Sequence, residues 1–179
     1  MKLPVKLVFF VSFAAGMGAS EFAQAADPEQ VWQLLDLREC RACDLSSANL
    51  RGKFLKKAYI RASDLSWANL SHAYMPRAIL VEATLQGASL VKANLQWADL
   101  RGADLSEANL MGVDLRNAYL SNVNFSGADL TDAKLGGAVL EGATFCNTVM
   151  PGGSMANQNC SELPIPNVTL DRPLLAGSH

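Results

Sequence analysis

The chain has 179 residues, of which 18% are charged, and a formal net charge of −2. That length suits one domain. Sparse, nearly balanced charge excludes both a long solvated tail and a strongly basic nucleic-acid binder.

Residues 1–25 read as a signal peptide. Lys2 and Lys6 supply the positive start, LVFFVSFAAGMGA the apolar run, and Ala23-Gln24-Ala25 the small-residue cleavage site. The apolar run is short for a membrane span. Cleavage there leaves 13 Lys or Arg against 16 Asp or Glu. It places the mature protein in the periplasm or outside the cell, not spanning the membrane, where disulfides persist.

Residues 26–40 predict an N-terminal capping helix. Asp27 suits the N-cap, Pro28 the first turn, and Gln30 a capping box. Val31, Leu34 and Leu35 form an apolar stripe able to cover whatever follows.

Residues 41–150 fall into 22 blocks of five with no slip. The fifth residue is Leu in 17 blocks; the others are Ile60, Met75, Phe125, Phe145 and Met150. The third is Ala in 16; the exceptions are Cys43, Lys53, Ser63, Val113, Val123 and Thr148. A helix would wind successive Leu side chains around its axis with no single stripe. A flat strand would flip Leu from one face to the other at each odd step. The pattern works if the chain turns once per block, so that every Leu and Ala points to one shared axis. Stacked coils then bury a core that no coil buries alone. Lys53 breaks the inward Ala pattern. A buried unpaired ammonium is costly, so Lys53 is expected to reach solvent.

Residues 151–179 end the repeat. Pro151-Gly152-Gly153 interrupts it, and SELPIPNVTLDRPLLAGSH carries three prolines and no period. This segment reads as a C-terminal cap followed by a loosely ordered tail.

The A(D/N)LXX pattern of residues 41–150, as in VKANLQWADLRGADLSEANL, resembles the pentapeptide-repeat family. The resemblance implies an all-β fold, a right-handed quadrilateral β-helix with four blocks per coil. It implies about five and a half coils and, at ~4.8 Å per coil, a prism roughly 25 Å long. LLDLRECRACDLSSANL and FCNTVMPGGS resemble the ends of secreted bacterial members. In such a prism Cys40 and Cys43 lie at one end and Cys146 and Cys160 at the other. A disulfide needs Cα atoms within about 7 Å, so the expected pairs are Cys146–Cys160 and Cys40–Cys43. The CRAC motif is followed by Asp44 rather than the His of haem attachment, and it lacks a second ligand pair for zinc.

Catalysis is hard to assemble. His72 lies at an outward position and His179 is the last residue. No nucleophile–base set forms. The Asp residues before core Leu, such as Asp44, Asp64 and Asp104, suit turn hydrogen bonds. No metal or cofactor is expected.

Blocks 20 residues apart should share a wall. One wall carries Asp44, Asp64, Asp104 and Glu107 without Lys or Arg, a charge of −4. The opposite wall carries Lys53, Lys56, Lys57, Arg77, Arg116 and Lys134 against Asp114, a charge of +5. Phe54 and Tyr74 stack on the basic wall, and Trp97 lies one coil from Arg77, within cation–π range. The candidate binding residues are therefore Lys56, Lys57, Arg77, Arg116, Trp97, Phe54 and Tyr74. Ordinary cross-coil pairing in a β-ladder is the competing explanation.

The resulting reading is a secreted or periplasmic non-enzymatic scaffold, a monomer or a dimer through an end. Its partner is a protein or an anionic envelope polymer rather than nucleic acid. Some family members mimic DNA and act on a topoisomerase, which is the first alternative; it needs cytoplasmic residence and an extensive acidic surface. An enzyme is the second, and it needs a pocket.

Overall fold

The computed structural model describes residues 26–158 and 160. Residues 1–25, expected to be a signal peptide, and residues 161–179, expected to be a loosely ordered tail, lie outside the described residues.

The five-residue blocks from residue 46 to residue 145 are β-turns. The carbonyl of one core residue accepts the N–H three residues on, as in Ala48 N–H to Leu45 O (3.1 Å) and Ala93 N–H to Leu90 O (2.9 Å). The second residue of every block, from Ala42 to Asn147, has positive φ. With that angle confined to the third turn residue, the turns are type II.

Four turns complete a coil, because the fourth residue of each block forms a parallel bridge to the residue 20 positions later. The bridges run from Glu39–Tyr59 to Asp129–Val149. Each coil sends hydrogen bonds both ways, as in Leu65 N–H to Thr84 O (2.7 Å) and Thr84 N–H to Ser63 O (3.0 Å). A four-sided solenoid follows. Its walls are single-residue ladders, too short to be strands, joined by turns.

The fifth and third residues of the blocks point inward. From Leu45 to Leu130 every fifth residue is buried, and the inward Ala residues with them. The departures from Ala cluster toward the ends and have local causes. Cys43 is disulfide-bonded to Cys40. Ser63 lies beneath that bridge, donating to Cys40 O (2.9 Å) and accepting from Cys43 N–H (3.1 Å). Thr148 donates to Phe125 O (2.7 Å). Phe125 and Phe145 stack along the axis with centroids 5.4 Å apart. Lys53 is exposed, as its chemistry demands, while its backbone keeps the ladder bond from Tyr74 N–H (2.9 Å).

At the first end lies α1 (Pro28–Leu37). The Asp27 carboxylate accepts from Glu29 N–H (2.9 Å). Gln30 does not close the expected reciprocal box. It donates to Asp27 Oδ2 (2.8 Å) and accepts from Asp44 N–H (2.6 Å), while Asp27 N–H is taken by Asp44 O (3.3 Å). The cap therefore fastens the helix to the first coil. Leu34 is fully buried and Val31 packs on the core. Leu35, expected in the same stripe, lies on the exposed side with Trp32 and Leu37.

The last blocks depart from the repeat. β1 (Phe145–Val149) pairs antiparallel with β2 (Met155–Gln158) around a turn at Pro151-Gly152-Gly153, and Cys146–Cys160 closes this hairpin. Leu135, Ala138 and Leu140 are only partly buried, because no further coil of the described residues lies on them. Both expected disulfides are thus present, with Cα separations of 5.6 and 5.2 Å.

Candidate functional site

The basic wall is built on the ladder Phe54–Tyr74–Asn94–Asp114–Lys134. Phe54 and Tyr74 stack with centroids 5.2 Å apart and planes 21° from parallel. The guanidinium of Arg38, the αL residue ending α1, sits 5.1 Å from the Phe54 ring centroid. Tyr74 and Arg38 therefore engage the Phe54 ring together. Both rings remain partly open to solvent, Phe54 at 54% and Tyr74 at 39% exposure.

The expected contact of Arg77 with Trp97 is absent. Among the described residues the cation–π contact belongs to Arg38 and Phe54. Trp97 sits at a left-handed turn position (φ 61°) and projects outward, half exposed. Same-column spacing brings Arg77 and Trp97 near each other without fixing their side-chain directions.

The predicted cations divide into two groups. Arg116 is committed to its own wall: Nε donates to Asp114 Oδ1 (2.9 Å) and Nη2 to Oδ2 (2.7 Å). Gln96 adds a bond to Oδ2 (2.8 Å). The Arg116 hydrogen bonds hold the Asp114 carboxyl below the ordinary value of 3.8. Lys53, Lys56, Lys57 and Arg77 are exposed and take part in none of the ion pairs of the described residues, which are Arg61–Glu82, Arg101–Asp99 and Arg116–Asp114. Unpaired positive charge thus gathers at the N-terminal half of the wall.

That axial segregation is also present in the sequence, though sorting residues by wall alone hides it. Residues 41–77 carry seven Lys or Arg against two Asp, whereas residues 78–150 carry four against eight Asp or Glu. Arg38 was likewise missed, because a helix cap gives no sign of which ring it will cover.

The acidic wall carries the ladder Asp44–Asp64–Thr84–Asp104–Asn124–Thr144. Here the Asp and Asn residues close turns. Asp44 Oδ1 accepts from Ser46 N–H (3.1 Å) and Oγ–H (2.6 Å), and Asp64 Oδ1 accepts from Ser66 N–H (2.8 Å). The Ser46 hydroxyl bond is the main cause lowering the Asp44 pKa. The same two-residue bond recurs at Asn94, Asp104, Asn109, Asp129 and elsewhere. This explains the Asp or Asn before core Leu without any catalytic role.

A shallow groove of about 540 Å³ follows the corner beside the basic wall, lined by Lys92, Asn94, Met111, Asp114, Asp132 and Lys134 among others. It mixes both charges and contains neither His nor Cys. His72 is exposed at a turn. Among the described residues there is no cluster able to hold a metal ion, and no helix is long and apolar enough to cross a membrane.

The sequence profile for Pentapeptide repeats (8 copies) matches residues 39–75, 78–117 and 108–147. Among solved structures, the chain is 30% identical to HetL, a pentapeptide repeat protein involved in heterocyst differentiation regulation from Nostoc sp. strain PCC 7120. That match covers 65% of this chain and 56% of HetL, with a TM-score of 0.34. It is 25% identical to Rfr23 from Cyanothece 51142, covering 64% of this chain and 96% of Rfr23, with a TM-score of 0.35. It is 30% identical to a pentapeptide repeat protein of the Arabidopsis thaliana thylakoid lumen, covering 55% and 65% of the two chains, with a TM-score of 0.28. The chain thus spans little more than half the length of HetL. No curated protein matches it. The five-residue register, the 20-residue ladder and the profile match agree: the chain belongs to the pentapeptide-repeat family.

Proposed function

We propose that the protein is a non-enzymatic secreted or periplasmic scaffold that binds its partner through the basic aromatic wall. The partner is an acidic protein or an anionic envelope polymer. The scaffold is a right-handed prism of about five and a half coils, from 22 blocks taken four to a coil, with α1 as its N-terminal cap. One observation carries the binding role: Lys53, Lys56, Lys57 and Arg77 stand exposed, without ion-pair partners among the described residues, beside a ring stack that holds Arg38. Of the other exposed cations of the repeat, Arg101 and Arg116 sit in ion pairs, while Arg41, Arg51, Lys92 and Lys134 take part in none among the described residues. A DNA-mimicking, topoisomerase-directed role calls for an extended acidic surface in the cytoplasm; the basic wall and the expected signal peptide count against it.

Two measurements test this reading. Cell fractionation with N-terminal sequencing should find the protein in the envelope or medium, starting at Ala26; an intact cytoplasmic chain would contradict export. Crosslinking in cells should then give partners that a K53E/K56E/K57E/R77E variant loses while keeping the wild-type circular dichroism. Identical partners on both proteins would remove the wall from the account.

A further inference from the structure

We propose that the two oppositely charged walls recognise each other in different copies of the chain, so that the basic wall of one molecule docks on the acidic wall of the next. This rests on reading the basic wall as a binding surface and commits that surface to a second copy.

The argument begins with two unrelieved ladders. Lys57 and Arg77 occupy the same turn position in successive coils, both exposed. Asp44 and Asp64 are direct bridge partners. Coils repeat at about 4.8 Å, and like charges stacked at that spacing repel. Neither ladder has a counter-ion among the described residues, whose three ion pairs use other groups. Among the described residues the carboxylates of Asp44 and Asp64 accept from turn N–H groups and a serine hydroxyl.

The ladders cannot neutralise each other within one molecule. Two turns separate them, so they face in opposite directions. Their levels nevertheless match. Asp44 shares the coil of residues 41–60 with Lys53, Lys56 and Lys57, and Asp64 shares the coil of residues 61–80 with Arg77. The pitch is identical because the coils are the same coils. Two copies side by side and parallel therefore bring cation ladder to anion ladder level for level, relieving both repulsions at once. An unrelated anionic polymer would have to match that pitch by coincidence.

The contact is heterologous. Each bound copy still offers one free wall of each sign, so association does not close at a dimer and builds open rows. Being electrostatic and exposed, it weakens with salt.

The test is sedimentation velocity on the purified protein at about 10 mM salt, where the Debye length is about 30 Å, and at about 1 M, where it is about 3 Å. Two variants accompany it. K53Q/K56Q/K57Q/R77Q neutralises the basic wall. D44N/D64N/D104N/E107Q neutralises the acidic wall while keeping an acceptor oxygen for each Asx turn, and circular dichroism checks both folds. Wild type should form a concentration-dependent series of oligomers at low salt and a monomer at high salt. Each variant should be monomeric alone, and an equimolar mixture should give a 1:1 dimer, because each contributes one intact wall. A wild type that stays monomeric at low salt overturns the proposal. So does association that survives in either variant. Monomeric wild type together with envelope partners lost from the basic-wall reversal would overturn self-docking and leave the broader binding role standing.

Discussion

The indole of Trp67 lies across Gly87, one coil further along the same turn column. A Cβ built on Gly87 would stand 2.5 Å from two ring carbons of Trp67. Side chains of this column lean toward the next coil, as Glu107 does toward Gly127. Gly87 also has φ +64°, and Gly52 shares that geometry (φ +65°) with nothing within 4 Å. Both Gly→Ala changes should lose about 1 kcal/mol to the left-handed backbone. Only Gly87→Ala should move the indole and shift tryptophan emission. Unchanged emission in Gly87→Ala would refute the packing.

Ser63→Ala restores the repeat consensus, yet it should destabilise the protein. It removes the acceptor of Cys43 N–H and the donor to Cys40 O in a buried place. Leaving such groups unsatisfied costs about 1–3 kcal/mol. Urea unfolding reads it directly, and a neutral result would mean that the serine is incidental.

Lys53→Ala makes the opposite case. Lys53 is exposed, so restoring Ala should change stability by no more than about 0.5 kcal/mol. Ala98→Lys places the same side chain where the residue is fully buried and should cost several kcal/mol. Equal effects at the two sites would show that position 53 is not open.

Breaking Cys146–Cys160 by the double Ser variant should cost about 3 kcal/mol, the chain-entropy value for a loop of about 15 residues. The loop closed here has a sequence separation of 14. The Cys40–Cys43 pair, separated by 3, should contribute less by that route. Denaturant midpoints of the two double variants give the order.

Asp99 and Asp114 are held below 3.8 chiefly by hydrogen bonds from Arg101 and Arg116. A carboxylate lowered in the folded state contributes stability above its unfolded value, and that contribution is lost as pH falls through the lowered one. The contribution is therefore fully present at neutral pH and is lost only below about pH 4. Both arginines are well exposed, so solvent screening keeps it small. An Asp99→Asn/Asp114→Asn variant should flatten the acid limb of the stability curve; an unchanged limb would assign acid sensitivity elsewhere.

The coil was legible because one side-chain rule repeats without a slip from Arg41 to Met150, and only a turn per block satisfies it. The left-handed turn position was not. Lys57, Trp67, His72, Glu82 and Asn117 all occupy it, and what places them there is hydrogen bonding to the next coil rather than glycine freedom. The β1–β2 hairpin was hidden because residues 146–150 still obey the five-residue register while pairing with Met155–Gln158. For the candidate site, wall membership and charge could be read from spacing alone. The partners of individual side chains could not: Arg116 turned to Asp114 two residues away, and Arg38 reached across from a helix end to Phe54.

The wall's role is tested most directly by photocrosslinking in living cells from two single positions. p-Benzoylphenylalanine replaces Tyr74 on the basic wall or Tyr119 on the adjoining one; both tyrosines are exposed and in ladder positions. The account predicts crosslinked species from position 74 that position 119 does not give, whether they contain another protein, an envelope polymer or a second copy of the chain. Equal crosslinking at both positions, or crosslinking from 119 alone, would contradict it.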